Sequence, residues 1–226
     1  MPKDVSYKLT GEQWRALAAS WLGWVFDAFD LFLPSVVAPY LMGIITPSKA
    51  SPIVSLILLY ASYLTTFIGR PTGALTWGHV ADRLGRRRAL IYTVIGYALT
   101  TGLTGLLPTY AQVGLLTIYL YALLRFLTGF FCGGEWAVGQ PFSMEHARYG
   151  WTSGLVQSAA PIGNMLAVAA IFVTLSAFGT EGWHAFAWRL VWFYGLIPAL
   201  LALYVRLGVR ESPKWENIAK EGALSK

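Results

Sequence analysis

Gly78-His79-Val80-Ala81-Asp82-Arg83-Leu84-Gly85-Arg86-Arg87-Arg88 stands between two apolar stretches, about 53–77 and 89–107. Apolar runs of that length read as membrane spans, and a basic cluster between two spans reads as a connection kept in the cytoplasm. That tendency needs only the arginines. It calls for neither Gly78 and Gly85 nor Asp82 at fixed offsets, so the segment carries more than a topological signal.

Outward from this loop the same pattern repeats. The chain has 226 residues, of which 56% are hydrophobic and 12% charged, about half the charged share of a soluble domain. Its mean hydropathy is +0.53. Thr10-Gly11-Glu12-Gln13 has the form of a capping box and opens the first span. Pro and Gly clusters then divide six spans at about 14–42, 53–77, 89–107, 113–142, 151–178 and 188–205. The expected fold is an all-α membrane protein, one bundle over residues 1–226 with short tails. The first apolar stretch is too long for the h-region of a signal peptide and is read as a retained helix.

Thirteen of the Lys and Arg residues fall on one side of these spans, from Lys3, Lys8 and Arg15 to Lys220 and Lys226. Lys49 and Arg189 lie on the other. The positive-inside rule then predicts a multi-pass protein of the cell (plasma) membrane with both termini cytoplasmic. Topology therefore accounts for the net charge of +6, and no nucleic-acid partner is called for. Trp14, Trp77, Trp151, Trp183 and Trp188 lie near span ends, as interfacial aromatics do. The single cysteine, Cys132, falls inside a span, which excludes a disulfide framework.

The quoted loop resembles the G-x-x-x-D-R-x-G-R-R-R signature of the major facilitator superfamily, in the second-to-third connection where that family carries it. Arg125-Phe126-Leu127-Thr128-Gly129 with Gly133-Gly134-Glu135 is similar to its fourth-helix arginine motif. Arg210-Glu211-Ser212-Pro213-Lys214-Trp215 is similar to the E-S-P-x-W ending of its sixth helix. The resemblance implies the N-terminal six-helix half of a twelve-helix carrier. In the superfamily this loop latches the cytoplasmic side, so Gly78, Asp82, Arg83, Gly85, Arg86, Arg87 and Arg88 become gate residues, with Glu145, Arg148 and Glu211 as partners. Glu145 and Arg148 are only three apart, a shorter gap than relatives leave. Asp82 is expected to accept from exposed N–H groups at a helix end.

Five ionisable residues lie within spans: Asp27, Asp30, Arg70, Arg125 and Glu135. A charge there costs about 2.5–3.5 kcal/mol on insertion scales, so each is expected to be buried and paired. Asp27 and Asp30 share a helix face, and two carboxylates that close do not both ionise easily. A proton-coupled carrier could use that arrangement, and either acid could equally be the structural partner of an arginine. Phe26-Asp27-Ala28-Phe29-Asp30 also resembles the D-G-F-D segment of aromatic-acid and sialate proton symporters, with Ala28 in place of glycine. Arg125, near mid-span, suits a substrate carboxylate, control of a proton-carrying acid, or a permanent salt bridge. Glu135 is about 15 Å further along the same helix, so Arg70 is its expected partner. Gly69 with Gly73 and Gly129 with Gly133 make two G-x-x-x-G steps suited to close helix approach.

An intramembrane protease is the competing class, through Ser153, but His79, His146 and His184 all fall in predicted loops, leaving no base at depth. The sequence offers no metal-site motif and calls for no cofactor. The expected function is proton-coupled symport of an organic acid, with a small anionic substrate, the proton and the lipid bilayer as partners. A sugar or drug carrier of the same fold, or a non-transporting fragment or subunit of a split transporter, is the alternative. A second six-helix half is also expected: a C-terminal half, a split partner or a homodimer copy.

Overall fold

Thr10 starts the first helix as its capping box requires: its Oγ accepts from Gln13 N at 3.3 Å, and Gln13 Oε1 accepts from Thr10 N at 2.9 Å. The computed structural model describes residues 9–146, 150–209, 211 and 215–217. Lys3, Lys8, Arg148, Arg210, Ser212, Pro213, Lys214, Lys220, Lys226 and the side chain of Glu145 lie outside the described residues. Every regular element among the described residues is helical: α1 (Gly11–Leu41), α2 (Pro52–Leu84), α3 (Arg86–Gly105), α4 (Tyr110–Val113), α5 (Leu116–His146), α6 (Gly150–Gln157), α7 (Ala159–Ala185), a 3₁₀ turn (Ala187–Arg189), α8 (Leu190–Tyr194) and α9 (Leu196–Leu207). Five stretches are long and apolar enough to cross a membrane: α1, α2, α5, α6 with α7, and the 3₁₀ turn with α8 and α9. α3, which covers the third expected span, has 20 residues, about 30 Å of helix and the thickness of a bilayer core, but is not apolar enough to count with those five. Its buried face is rich in threonine (Thr93, Thr100, Thr101, Thr104), which lowers its hydropathy.

Two helix breaks sit four residues before prolines. Pro161 and Pro198 lack an N–H and crowd the carbonyls of Gln157 and Tyr194, and α6 and α8 end at those residues. Pro34, Pro39, Pro71 and Pro141 lie inside continuous helices. The segment 78–88, expected as a loop, is mostly helix. Arg and Leu are good helix formers, and only Gly85, at φ +102°, separates α2 from α3. His79 therefore lies in α2, with Nδ1 at 2.8 Å from Leu75 O, rather than in a loop. His146 ends α5 and His184 falls in the last turn of α7, for the same reason of helix overrun.

α1 is central: two-thirds of its most apolar window is buried, against 28% for α2, whose Ile53, Ile57, Leu64, Ile68 and Leu75 face outward. α1 packs on α5, α7 and α9, while α3 packs on α5 and α9. The most extensive seam joins α2 to α5. There Gly69 and Gly73 lie on the backbone of Phe126 and Phe130, and Gly129 and Gly133 lie on the carbonyls of Thr66 and Arg70. Any Cβ would collide with main chain, so both glycine steps are needed for this approach. Thr65 Oγ1 bridges the seam to Ala122 O at 2.8 Å.

Candidate functional site: buried ion pairs beside a cavity

Gly23, Asp27 and Asp30 recur at intervals of four and three, so they line one face of α1. At each level that face meets an arginine. Asp30 Oδ2 accepts from Arg125 Nη1 of α5 at 2.8 Å, and Asp30 Oδ1 accepts from Thr101 of α3 at 2.8 Å. Arg125 also donates to Thr104 Oγ1 at 2.8 Å and lies over the Trp192 and Tyr121 rings at 4.8 and 5.8 Å. Neither side chain is more than 1% exposed.

One helical turn away, Asp27 Oδ2 accepts from Arg70 Nη2 of α2 at 2.9 Å, and the Cys132 thiol donates to Asp27 Oδ1. Asp27 is fully buried, whereas Arg70 keeps 20% of its side chain exposed. Tyr97 donates to the carbonyls of Phe26 and Asp27, each at 3.3 Å. A cavity of about 230 Å³ opens beside this pair, lined by Trp24, Asp27, Phe32, Tyr63, Asn164 and neighbours.

The third pair is Glu135 of α5 with Arg206 of α9, packed against Gly23, where a Cβ would collide with both side chains. Thr93 Oγ1 stands 3.5 Å from Glu135 Oε2, and Arg206 Nη1 also donates to Leu90 O at 3.1 Å.

These pairings revise two expectations. Arg70 meets Asp27 and not Glu135, because α2 approaches α1 one turn away from the level of Gly23. Asp27 and Asp30 do not form a dyad competing for one proton, since each has its own guanidinium from a different helix. Arg206 is one of the thirteen basic residues that the sequence puts on one side of the spans. It is buried, and its partner Glu135 lies eleven residues inside α5. No spacing in the sequence relates those two positions, since α5 overruns α9 at this end. Thr101, Thr104, Cys132, Tyr63 and Asn164 were missed as well; none carries a motif.

At the arginine-rich end, the acceptor on α3 is Glu211, not Asp82. Its Oε1 and Oε2 accept from Arg87 N at 3.0 and 3.2 Å, where a helix N-terminus favours negative charge. Gly85 lies against the same carboxylate, and a Cβ there would strike it. Asp82, in the last turn of α2, instead meets Arg86 at 3.3 Å, with its side chain 62% exposed. The Arg87 side chain donates to Arg206 O and Leu207 O at 3.2 and 2.7 Å, closing the C-terminus of α9. Trp215 Nε1 donates to Asp82 O at 2.9 Å. Arg83 and Arg88 are exposed and Gly78 is half-buried. At the opposite end Arg189 donates to Gly105 O and Leu107 O at 3.0 and 2.7 Å, closing the C-terminus of α3.

The chain is similar in sequence and in fold to known proteins. Residues 32–223 match the family described as sugar (and other) transporter. The inner membrane metabolite transport protein YhjE of Escherichia coli strain K12 is 29% identical over 209 residues, 91% of this chain and 48% of that protein. The shikimate transporter of the same organism is 30% identical, covering 90% and 47%. The proline/betaine transporter of Salmonella typhimurium strain LT2 is 27% identical, covering 95% and 43%. A crystal structure of a D-xylose-proton symporter superposes with a TM-score of 0.76 at 19% identity, over 94% of this chain and 52% of that one. The chain thus spans about half the length of the relatives it matches.

Proposed function

Because the chain belongs to the sugar (and other) transporter family of the major facilitator superfamily, as the N-terminal half of that fold, we propose that it forms half of a proton-coupled carrier for organic acids. The observation that carries the reading is Asp27: a buried carboxylate on a cavity wall, held by a guanidinium that keeps some exposure. While Asp27 is charged, Arg70 is occupied. A proton on Asp27 neutralises it and releases Arg70 to hold a substrate carboxylate through paired hydrogen bonds. Proton and anion then favour each other's binding, which is what coupling requires.

In this reading Asp30 and Arg125 hold α1, α3 and α5 in register around the site, and the segment from Gly78 to Arg88 works as the gate. The distribution of Lys and Arg supports a cytoplasmic arginine-rich end in a cell membrane, with both termini on that side. Alternating access needs a second six-helix bundle to rock against, whether a C-terminal half, a split partner or a second copy. A neutral sugar is the second reading, favoured by the uncharged polar residues Asn164 and Tyr63 among those lining the cavity.

Uptake of labelled monocarboxylates into proteoliposomes, with and without an inward proton gradient, tests the proposal. Uptake should rise with the gradient, and Asp27→Asn should remove that dependence while exchange without a gradient persists. Uptake indifferent to the gradient, or competed away by sugars alone, would overturn it. Cross-linking in detergent separates a two-copy carrier from a chain that needs a different partner.

A further inference from the structure

Between α1, α5 and α6 lies a second, much smaller cavity of about 20 Å³, lined by Ser20, Trp24, Glu135, Trp136 and Gln140 among others. Its walls carry polar atoms that the protein does not satisfy. Ser20 is 5% exposed, and its Oγ has no hydrogen-bond partner. Trp24 Nε1 is likewise buried without one. The Glu135 carboxylate lines the same space, and its oxygens can accept more bonds than Arg206 and Thr93 provide. A buried water needs about 10–15 Å³ and two to four polar partners. This cavity supplies one donor, one hydroxyl and one carboxylate around room for one molecule.

We propose that this cavity is a binding site for a single ordered water, held by Ser20 Oγ, Trp24 Nε1 and the Glu135 carboxylate, that hands protons to Glu135. Trp24 also lines the larger cavity beside Asp27. The transfer balances with solvent as the donor: a hydronium at the cavity mouth gives one proton to the bound water, which releases another to the Glu135 carboxylate and stays neutral. The Trp24 N–H only holds the water and carries no proton.

Glu135 is faced by Arg206 from α9, Thr93 from α3, and Gly23, Ser20 and the like-charged Asp27 from α1, so a proton there weakens the ion pair with Arg206 and relieves repulsion with Asp27. The carbonyl of Arg206 is in turn held by Arg87 of the gate segment. A proton reaching Glu135 is thereby felt at the arginine-rich end. The water site stands on geometry alone, whereas its use as a relay rests on the proton-coupled carrier reading.

The test uses the chain in nanodiscs with indole-¹⁵N tryptophan, the Trp24 signal being identified by its loss in Trp24→Phe. The Trp24 N–H should show a cross peak to bound water, lost in Ser20→Val, whose methyl groups fill the cavity. If that variant fails to fold, Ser20→Ala, which removes one partner without adding bulk, should weaken the peak. No water cross peak in the wild type would overturn the site.

In proteoliposomes, Ser20→Val should lower gradient-driven uptake about tenfold, on the scale of a lost proton-transfer group, and leave exchange without a gradient unchanged. Equal loss of both, or no loss although the cross peak has gone, overturns the relay. A wild type with the cross peak but no gradient dependence defeats the carrier reading and the relay together, and leaves the water site standing.

Discussion

Asp27–Arg70 and Asp30–Arg125 are two ion pairs of nearly equal length, 2.9 and 2.8 Å, set one helical turn apart on α1, yet their surroundings differ. Asp30–Arg125 is sealed. Two threonines and two aromatic rings surround it, and neither side chain is more than 1% exposed. Asp27–Arg70 is completed on one side by a thiol and open on the other to about 230 Å³ of space. A charge pair withdrawn on all sides acts as a fixed strut, because separating it leaves an uncompensated charge in a medium that cannot solvate it. A pair that borders a cavity can exchange one partner for a proton or a ligand. The contrast lies in access, not in bond length.

The largest effect tests the sealed pair. Arg125→Ala leaves the Asp30 carboxylate alone in the bundle, and should cost about 3–5 kcal/mol of stability, read as a collapse of the thermal unfolding midpoint in detergent. If the variant unfolds like wild type, Asp30–Arg125 is not a strut.

The next perturbation targets the seam that delivers Arg70. Gly73→Ala would drive a Cβ into the Phe130 carbonyl, and should cost about 1–3 kcal/mol as an overpacked contact. Because α2 carries Arg70 and α5 carries Arg125, prising the seam open should disturb the Asp27 pair first. A double-mutant cycle of Gly73→Ala with Asp27→Asn should therefore be non-additive.

Thr101→Val removes one of the bonds to Asp30 at near-constant volume, for about 1.5–3 kcal/mol as a bond to a charged group. Asp27→Asn should be milder, at about 1 kcal/mol, since Arg70 keeps partial access to water and part of its bonding. Its main signature is the lost gradient dependence. Equal destabilisation by Asp27→Asn and Arg125→Ala would erase the distinction between the pairs. Cys132→Ala should have the smallest effect, about 0.5–1 kcal/mol as one weak donor lost, measured as a small shift in unfolding midpoint.

Much of the frame could be read from the residues in order. Apolar run lengths marked the spans, Thr10 and Gln13 placed the first helix start, and the two glycine steps marked close helix approaches, which the bundle joins into one seam between α2 and α5. All five intramembrane charges were expected to be buried and paired, and Asp27, Asp30, Arg125 and Glu135 are buried and ion-paired, with Arg70 paired but partly exposed. The partners were not legible. Which carboxylate meets which guanidinium depends on the rotation and depth of each helix, and a shift of one residue turns a side chain by about 100°. Arg206 shows the consequence: it counts with the topological arginines in the sequence and forms a buried pair in the bundle. Glu211 in place of Asp82 at the start of α3 shows it again.

The linear chain, then, determined that the fold is helical and membrane-spanning, roughly where its apolar helices lie, and which of their residues could not remain unpaired in a bilayer. Those are consequences of transfer free energy and local backbone preference, which act on each segment alone. Only the tertiary structure decided that one pair on α1 is sealed and its neighbour opens onto a cavity. Access is a property of the space between helices, and no single helix contains it.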